Sequence, residues 1–244
     1  MKRYWEIDSL RGIAITLMIA YHFLFDLHYF GFVKFWIPYP YWHFAPAVIA
    51  SMFLLTVGIS LSISFARAKK KLSKKELFKK YFYRGTKIFS LGLLVTAATW
   101  VYPHDGFIVF GVLHLIGLSI ILSIPFLGLK KGSFLAGLIV VLIGLLLQGH
   151  YFGFSWLLWL GFVPRSFYTL DYYPLLPWFG LVLIGLSFGK TLYPNGKRAF
   201  NTPNLGRKAI TKALAFLGRH SLQIYFLHQP VLVALLFLLF GFRG

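Results

Sequence analysis

Of the six acidic side chains in the sequence, Asp26 alone falls inside a long apolar run. A charge at bilayer depth costs at least a few kcal/mol unless it is paired, so such a residue is a functional candidate by default. His22 stands four residues earlier. An i, i+4 pair shares one helix face, which places the carboxylate to orient the imidazole and raise its basicity. Arg11 stands eleven residues before His22. At about 100° per residue that is about 20° from three complete turns, and about 16 Å along the axis. A buried general base with a fixed cation at the cytoplasmic mouth of the same stripe suits group transfer from an anionic cytoplasmic donor. A structural reading fits the same spacing: Arg11 caps the helix start near Asp8, and His22 hydrogen-bonds a neighbouring helix.

The elements that must position these groups are membrane helices. Of the 244 residues, 58% are hydrophobic and 13% are charged, whereas an ordinary soluble domain is roughly a quarter charged. Crossing about 30 Å of hydrocarbon takes roughly 20 predominantly apolar residues. Segments near that length are expected at 10–31, 46–66, 84–102, 107–126, 133–150, 174–190 and 220–240. The chain therefore reads as an all-α polytopic bundle of about seven transmembrane helices, a single domain over 1–244. Residues 151–165 are apolar, short and aromatic, and suit an interfacial or re-entrant segment, with an eighth span as the alternative.

Charge sets the orientation. Residues 67–87 carry ten Lys and Arg side chains, and 190–212, 130–131 and the N-terminus carry more. Short basic loops stay cytoplasmic. All four regions fall on one side only with seven crossings, which puts the N-terminus inside the cell membrane and the C-terminus outside. The net charge of +19 lies in the gaps between apolar runs, which argues against nucleic-acid binding. With no cysteine, disulfides and thiol nucleophiles are excluded. No histidine–carboxylate set has metalloprotease spacing, so no catalytic metal is expected.

The run Glu6-Ile-Asp-Ser-Leu-Arg-Gly-Ile-Ala-Ile15, followed by Tyr21-His22, resembles the first helix of the transmembrane acyltransferases. In acyltransferase family 3 an arginine, ten residues and a histidine form the functional signature, and Arg11 with His22 reproduces it. Further matches are Phe53-Leu-Leu-Thr-Val-Gly-Ile-Ser60, Phe110-Gly-Val-Leu-His-Leu-Ile-Gly117, Asp171-Tyr-Tyr-Pro-Leu-Leu-Pro-Trp-Phe-Gly180 and Leu217-Gly-Arg-His-Ser-Leu-Gln-Ile-Tyr-Phe-Leu-His-Gln-Pro230. The resemblance covers nearly the whole chain and looks closest to the compact prokaryotic branch of the heparan-alpha-glucosaminide N-acetyltransferase-like proteins.

That resemblance implies transfer of an acyl group, commonly acetyl, from cytoplasmic acyl-CoA to an extracytoplasmic sugar or glycan acceptor. His22 is then the general base or a transient acyl carrier, with Arg11 and Asp26 completing the catalytic set. In the larger lysosomal member the catalytic histidine follows the first shared helix, roughly where His43 stands, which makes His43 the second choice. Arg11, Arg84 and Lys87 form a basic rim for the phosphates of acetyl-CoA; for the last two, topology and anionic lipid account equally for the charge. His114 in the fourth helix is a candidate for the acceptor or the oxyanion, or a packing histidine. His228 and Gln229 line a tunnel or tie helices, and Asp171 holds a sugar beside aromatic rings or is a loop residue. The rival readings are a proton-coupled transporter or flippase using the Arg11, His22 and Asp26 stripe, and a noncatalytic scaffold. Acceptor identity and assembly into a homo-oligomer are left open.

Overall fold

The computed structural model describes residues 3–33 and 39–241, with backbone alone for 39–43 and 204. Among the described residues the fold is all-α: α1 (Trp5–Tyr29), α2 (Tyr39–Ala68), α3 (Lys74–Val101), α4 (Val112–Leu122), α5 (Lys131–Leu147), α6 (Leu175–Leu192), α7 (Ala209–Arg219) and α8 (Ser221–Phe240). Each predicted span coincides with a helix. Trp5–Tyr29, Phe44–Ala68, Leu175–Leu192 and Ser221–Phe240 are long and apolar enough to cross a membrane, while α4 and α5 are shorter apolar helices.

Two differences from the sequence expectation stand out. The basic stretch expected as a cytoplasmic loop is largely helical, because α2 runs to Ala68 and α3 begins at Lys74. Lys, Glu, Leu and Arg are strong helix formers. A capping box fixes the start: Glu76 N–H donates to Ser73 Oγ, and the Glu76 carboxylate accepts from Ser73 N–H at 2.8 Å. Helix α7 was not anticipated, because it is only 11 residues long and flanked by charge. Residues 151–165 hold no α-helix; β1 (Tyr151–Phe152) pairs in parallel with β2 (Val163–Pro164) around a 3-10 turn at Leu158–Leu160.

The chain divides into two compact units, Met1–Phe53 with Thr202–Gly244, and Leu54–Asn201. In the first, α1, the opening half of α2, α7 and α8 gather around Ile15, Met18 and Ile49. A Cβ on Gly12 would land on the Leu214 carbonyl, and one on Gly218 on the Asp8 carbonyl, so α1 and α7 meet backbone to backbone. Small residues permit that approach where lipid offers no hydrophobic drive for helix association.

The second unit is built in the same way. Gly58 and Gly185 bring α2 and α6 together, and Gly137 and Gly180 do so for α5 and α6. Its core includes Leu54, Leu61, Leu115, Leu183, Leu186 and Tyr81, whose hydroxyl donates to Ser64 Oγ at 3.2 Å. Lys190, in the last turn of α6, donates to the Phe126 carbonyl at 2.8 Å, to the Leu129 carbonyl and to Ser133 Oγ at 3.1 Å. One ammonium thereby satisfies the turn between α4 and α5.

Candidate active site

In the first unit, α1 is unbroken from Trp5 to Tyr29, so the stripe of Arg11, His22 and Asp26 holds. Arg11 is half-buried and Asp26 is buried. Opposite them α8 supplies two groups that local periodicity does not connect to α1. The His228 ring stacks on His22 with centroids 4.8 Å apart and planes 12° from parallel. The Gln229 amide nitrogen donates to Asp26 Oδ1 at 2.7 Å.

Asp26 was expected to orient His22, but its partner is Gln229. Side chains four residues apart on one helix run side by side, whereas a group on a facing helix can point straight at the carboxylate. The His22 ring is held by stacking instead. His228 Nδ1 donates to the Tyr225 carbonyl at 2.6 Å, which in the neutral ring leaves Nε2 as an acceptor. Four side chains of this cluster each keep one buried polar atom without a hydrogen-bond partner: His22 Nδ1, Asp26 Oδ2, His228 Nε2 and Gln229 Oε1. Buried polar groups are nearly always paired, so four unpaired atoms in one cluster make it the candidate site of this unit.

The other sequence candidates lie elsewhere. Arg84, half-buried, and Lys87, exposed, are on α3 in the second unit. His43 is in α2, and its side chain lies outside the described residues.

His114 and Asp171 come together in the second unit, at the start of α4. Gly111 N–H donates to His114 Nδ1 at 3.2 Å, and His114 Nε2 lies 3.3 Å from Thr96 Oγ1, whose hydroxyl donates to the Ile108 carbonyl at 2.6 Å. With Nδ1 accepting, Nε2 carries the proton, and both ring nitrogens are taken. Asp171 Oδ2 accepts from Val112 N–H at 3.2 Å, capping the same helix. Around them the loops are laced together: Thr169 Oγ1 donates to the Phe107 carbonyl, Tyr173 N–H to the Phe110 carbonyl, and the Tyr172 hydroxyl to the Leu158 carbonyl at 2.7 Å. Burial pushes the Tyr172 phenol up to about 12.

Sequence reasoning found all four members of the α1–α8 cluster but not their pairing. It gives Tyr225 no role and counts Lys190 only as one of the cations that set topology. The signal for Lys190 was a lone cation in the last turn of an apolar helix.

Apolar helices long enough to cross a bilayer, with a buried carboxylate, half-buried histidines and a half-buried amide between two of them, define an integral membrane protein with an internal polar cluster. The chain belongs to the heparan-alpha-glucosaminide N-acetyltransferase catalytic family, whose model matches residues 3–230. Membership makes it a membrane acetyltransferase. Comparison with curated proteins and with solved structures finds no match.

Proposed function

We propose that the protein carries an acetyl group from cytoplasmic acetyl-CoA to an amino or hydroxyl group of a sugar or glycan on the far side of the cell membrane, with His22 as general base. One observation carries this reading: the cluster of His22, Asp26, His228 and Gln229 between apolar helices α1 and α8, with an unmatched buried polar atom on each member. The family match over residues 3–230 supports the reaction class.

In the reaction His22 takes the proton from the acceptor as its oxygen or nitrogen bonds to the thioester carbonyl carbon. The carbon–sulfur bond then breaks, and the imidazolium returns that proton to the departing thiolate. Gln229 fixes Asp26 beside the base, and the carboxylate stabilises the imidazolium while it exists. Arg11, at the opposite end of the stripe, suits the donor's phosphates. The acyl-histidine route, in which His22 carries the acetyl group covalently, uses the same residues. The basic stretches at the N-terminus and at 67–87, 130–131 and 190–212 support a cytoplasmic N-terminus and an outer C-terminus, with 1–244 read as one acyltransferase domain.

The test is release of free coenzyme A from acetyl-CoA by the purified protein in nanodiscs, with candidate sugars added. Acceptor-stimulated release should fall by about 10²–10⁴-fold in His22→Ala. Full turnover in that variant would remove His22 from the mechanism. Absence of both binding and turnover in the intact protein would remove the enzyme reading and favour the transporter.

A further inference from the structure

Helix α7 has no role in the reaction above. Its 11 residues span about 16 Å, too short to cross about 30 Å of hydrocarbon. One face is fixed to α1: Gly12 and Gly218 allow backbone contact with Leu214 and Asp8, and Ser9 Oγ donates to the Thr211 carbonyl at 3.4 Å. Thr211, Ala215 and Gly218 are buried there.

The rest of the helix is amphipathic in a specific way. Ile210 is 70% exposed and Phe216 53% exposed, and Ala213 between them is exposed as well. Lys212 and Arg219 follow Lys208 by four and eleven residues, and all three are exposed. At about 100° per residue they fall within about 40° of one another, on the border of the apolar arc. At its other border the arc reaches Leu217, which with Thr16, Ile19, Ala20, Phe23 and Leu232 lines an open, almost wholly apolar groove.

Two connections set the depth of this helix. Span α8 starts at Ser221, two residues after α7 ends. The face of α1 that α7 covers, Asp8 to Gly12, is the start of another span. Both put α7 at the rim of the hydrocarbon, where a helix with apolar and basic faces lies in the interface and its cations meet lipid phosphates.

The geometry points to α7 as a binding surface for anionic phospholipid, with the arc and groove taking acyl chains and Lys208, Lys212 and Arg219 taking the headgroup phosphate. Charge complementarity selects this occupant. Arg219 shares the Asp8 carboxylate of α1 with Arg11 and Arg3, so the cations at this border outnumber that one carboxylate. With Lys208 and Lys212 beside the apolar arc they match a negatively charged headgroup on an acyl chain, which a neutral headgroup does not supply.

The absence of native cysteine makes the test direct. Phe216→Cys, and separately Ala213→Cys as a second site should the first disturb folding, is labelled with an environment-sensitive fluorophore in the full chain. The protein is placed in phosphatidylcholine vesicles containing either brominated phosphatidylcholine or brominated phosphatidylglycerol. Stronger quenching by the phosphatidylglycerol is expected. Lys212→Gln and Arg219→Gln should each reduce that preference by about fivefold. Equal quenching by both lipids, unchanged in these variants, would overturn headgroup recognition. No quenching by either would overturn the lipid contact and assign the face to protein, such as a second copy of the chain.

Discussion

The side-chain amide of Gln229 on α8 donates to Asp26 on α1 at 2.7 Å, across 203 residues of sequence. It leaves Gln229 Oε1 and Asp26 Oδ2 unmatched beside the stacked His22 and His228 rings. The bond ties α8 to α1 at the level of the polar cluster.

Gln229→Leu removes the one side-chain donor to the buried Asp26 carboxylate among the described residues. It should cost about 1–2 kcal/mol of stability, read as a lowered melting temperature in detergent. Asp26→Leu combined with Gln229→Leu should cost less than the sum of the two single changes, because no orphaned partner remains. Strict additivity would mean that the two groups do not interact in the folded protein.

Gly12→Ala and Gly218→Ala force a methyl group onto a backbone carbonyl and should each destabilise by about 1–3 kcal/mol. Gly128→Ala, where a Cβ meets nothing within 4 Å, is the control and should change little. Thermal unfolding of the three variants side by side checks the expectation. Equal midpoints would contradict close approach of α1 and α7.

Asp171→Ala takes away the carboxylate that accepts from Val112 N–H. Loss of a helix cap should lower stability by about 1 kcal/mol, with acetyl transfer retained once the protein is folded. A specific rise in the KM for the sugar, at unchanged melting temperature, would instead make Asp171 an acceptor ligand.

Tyr172 bears on behaviour at alkaline pH. Its phenol is raised by burial from 10.0 to about 12 in the folded chain. The unfolded chain releases this proton near the ordinary value while the folded chain retains it. The contribution to stability is therefore complete below the ordinary value and is lost as pH rises through the folded one. Stability should fall across that window in the intact protein and fall less steeply in Tyr172→Phe. Parallel pH profiles of denaturant unfolding would show that the phenol does not titrate in this way.

What could be read from the sequence was local. Apolar runs of bilayer length gave the helices, because the backbone must satisfy its own hydrogen bonds in hydrocarbon. The spacing of Arg11, His22 and Asp26 gave a shared stripe, because 3.6-residue periodicity is a property of the helix alone. The motifs from Glu6 to Pro230 gave the family.

The tertiary structure decided which groups meet. Gln229 rather than His22 partners Asp26, and His114 and Asp171 converge on the start of α4. The basic stretch after α2 continues largely as α3, and a short helix, α7, forms ahead of α8. These outcomes depend on which helix faces pack together, and glycines that let backbones touch fix several of those pairings, α1 with α7 and α5 with α6 among them. Hydropathy and spacing along one helix specify what each face carries, but not which face it will meet.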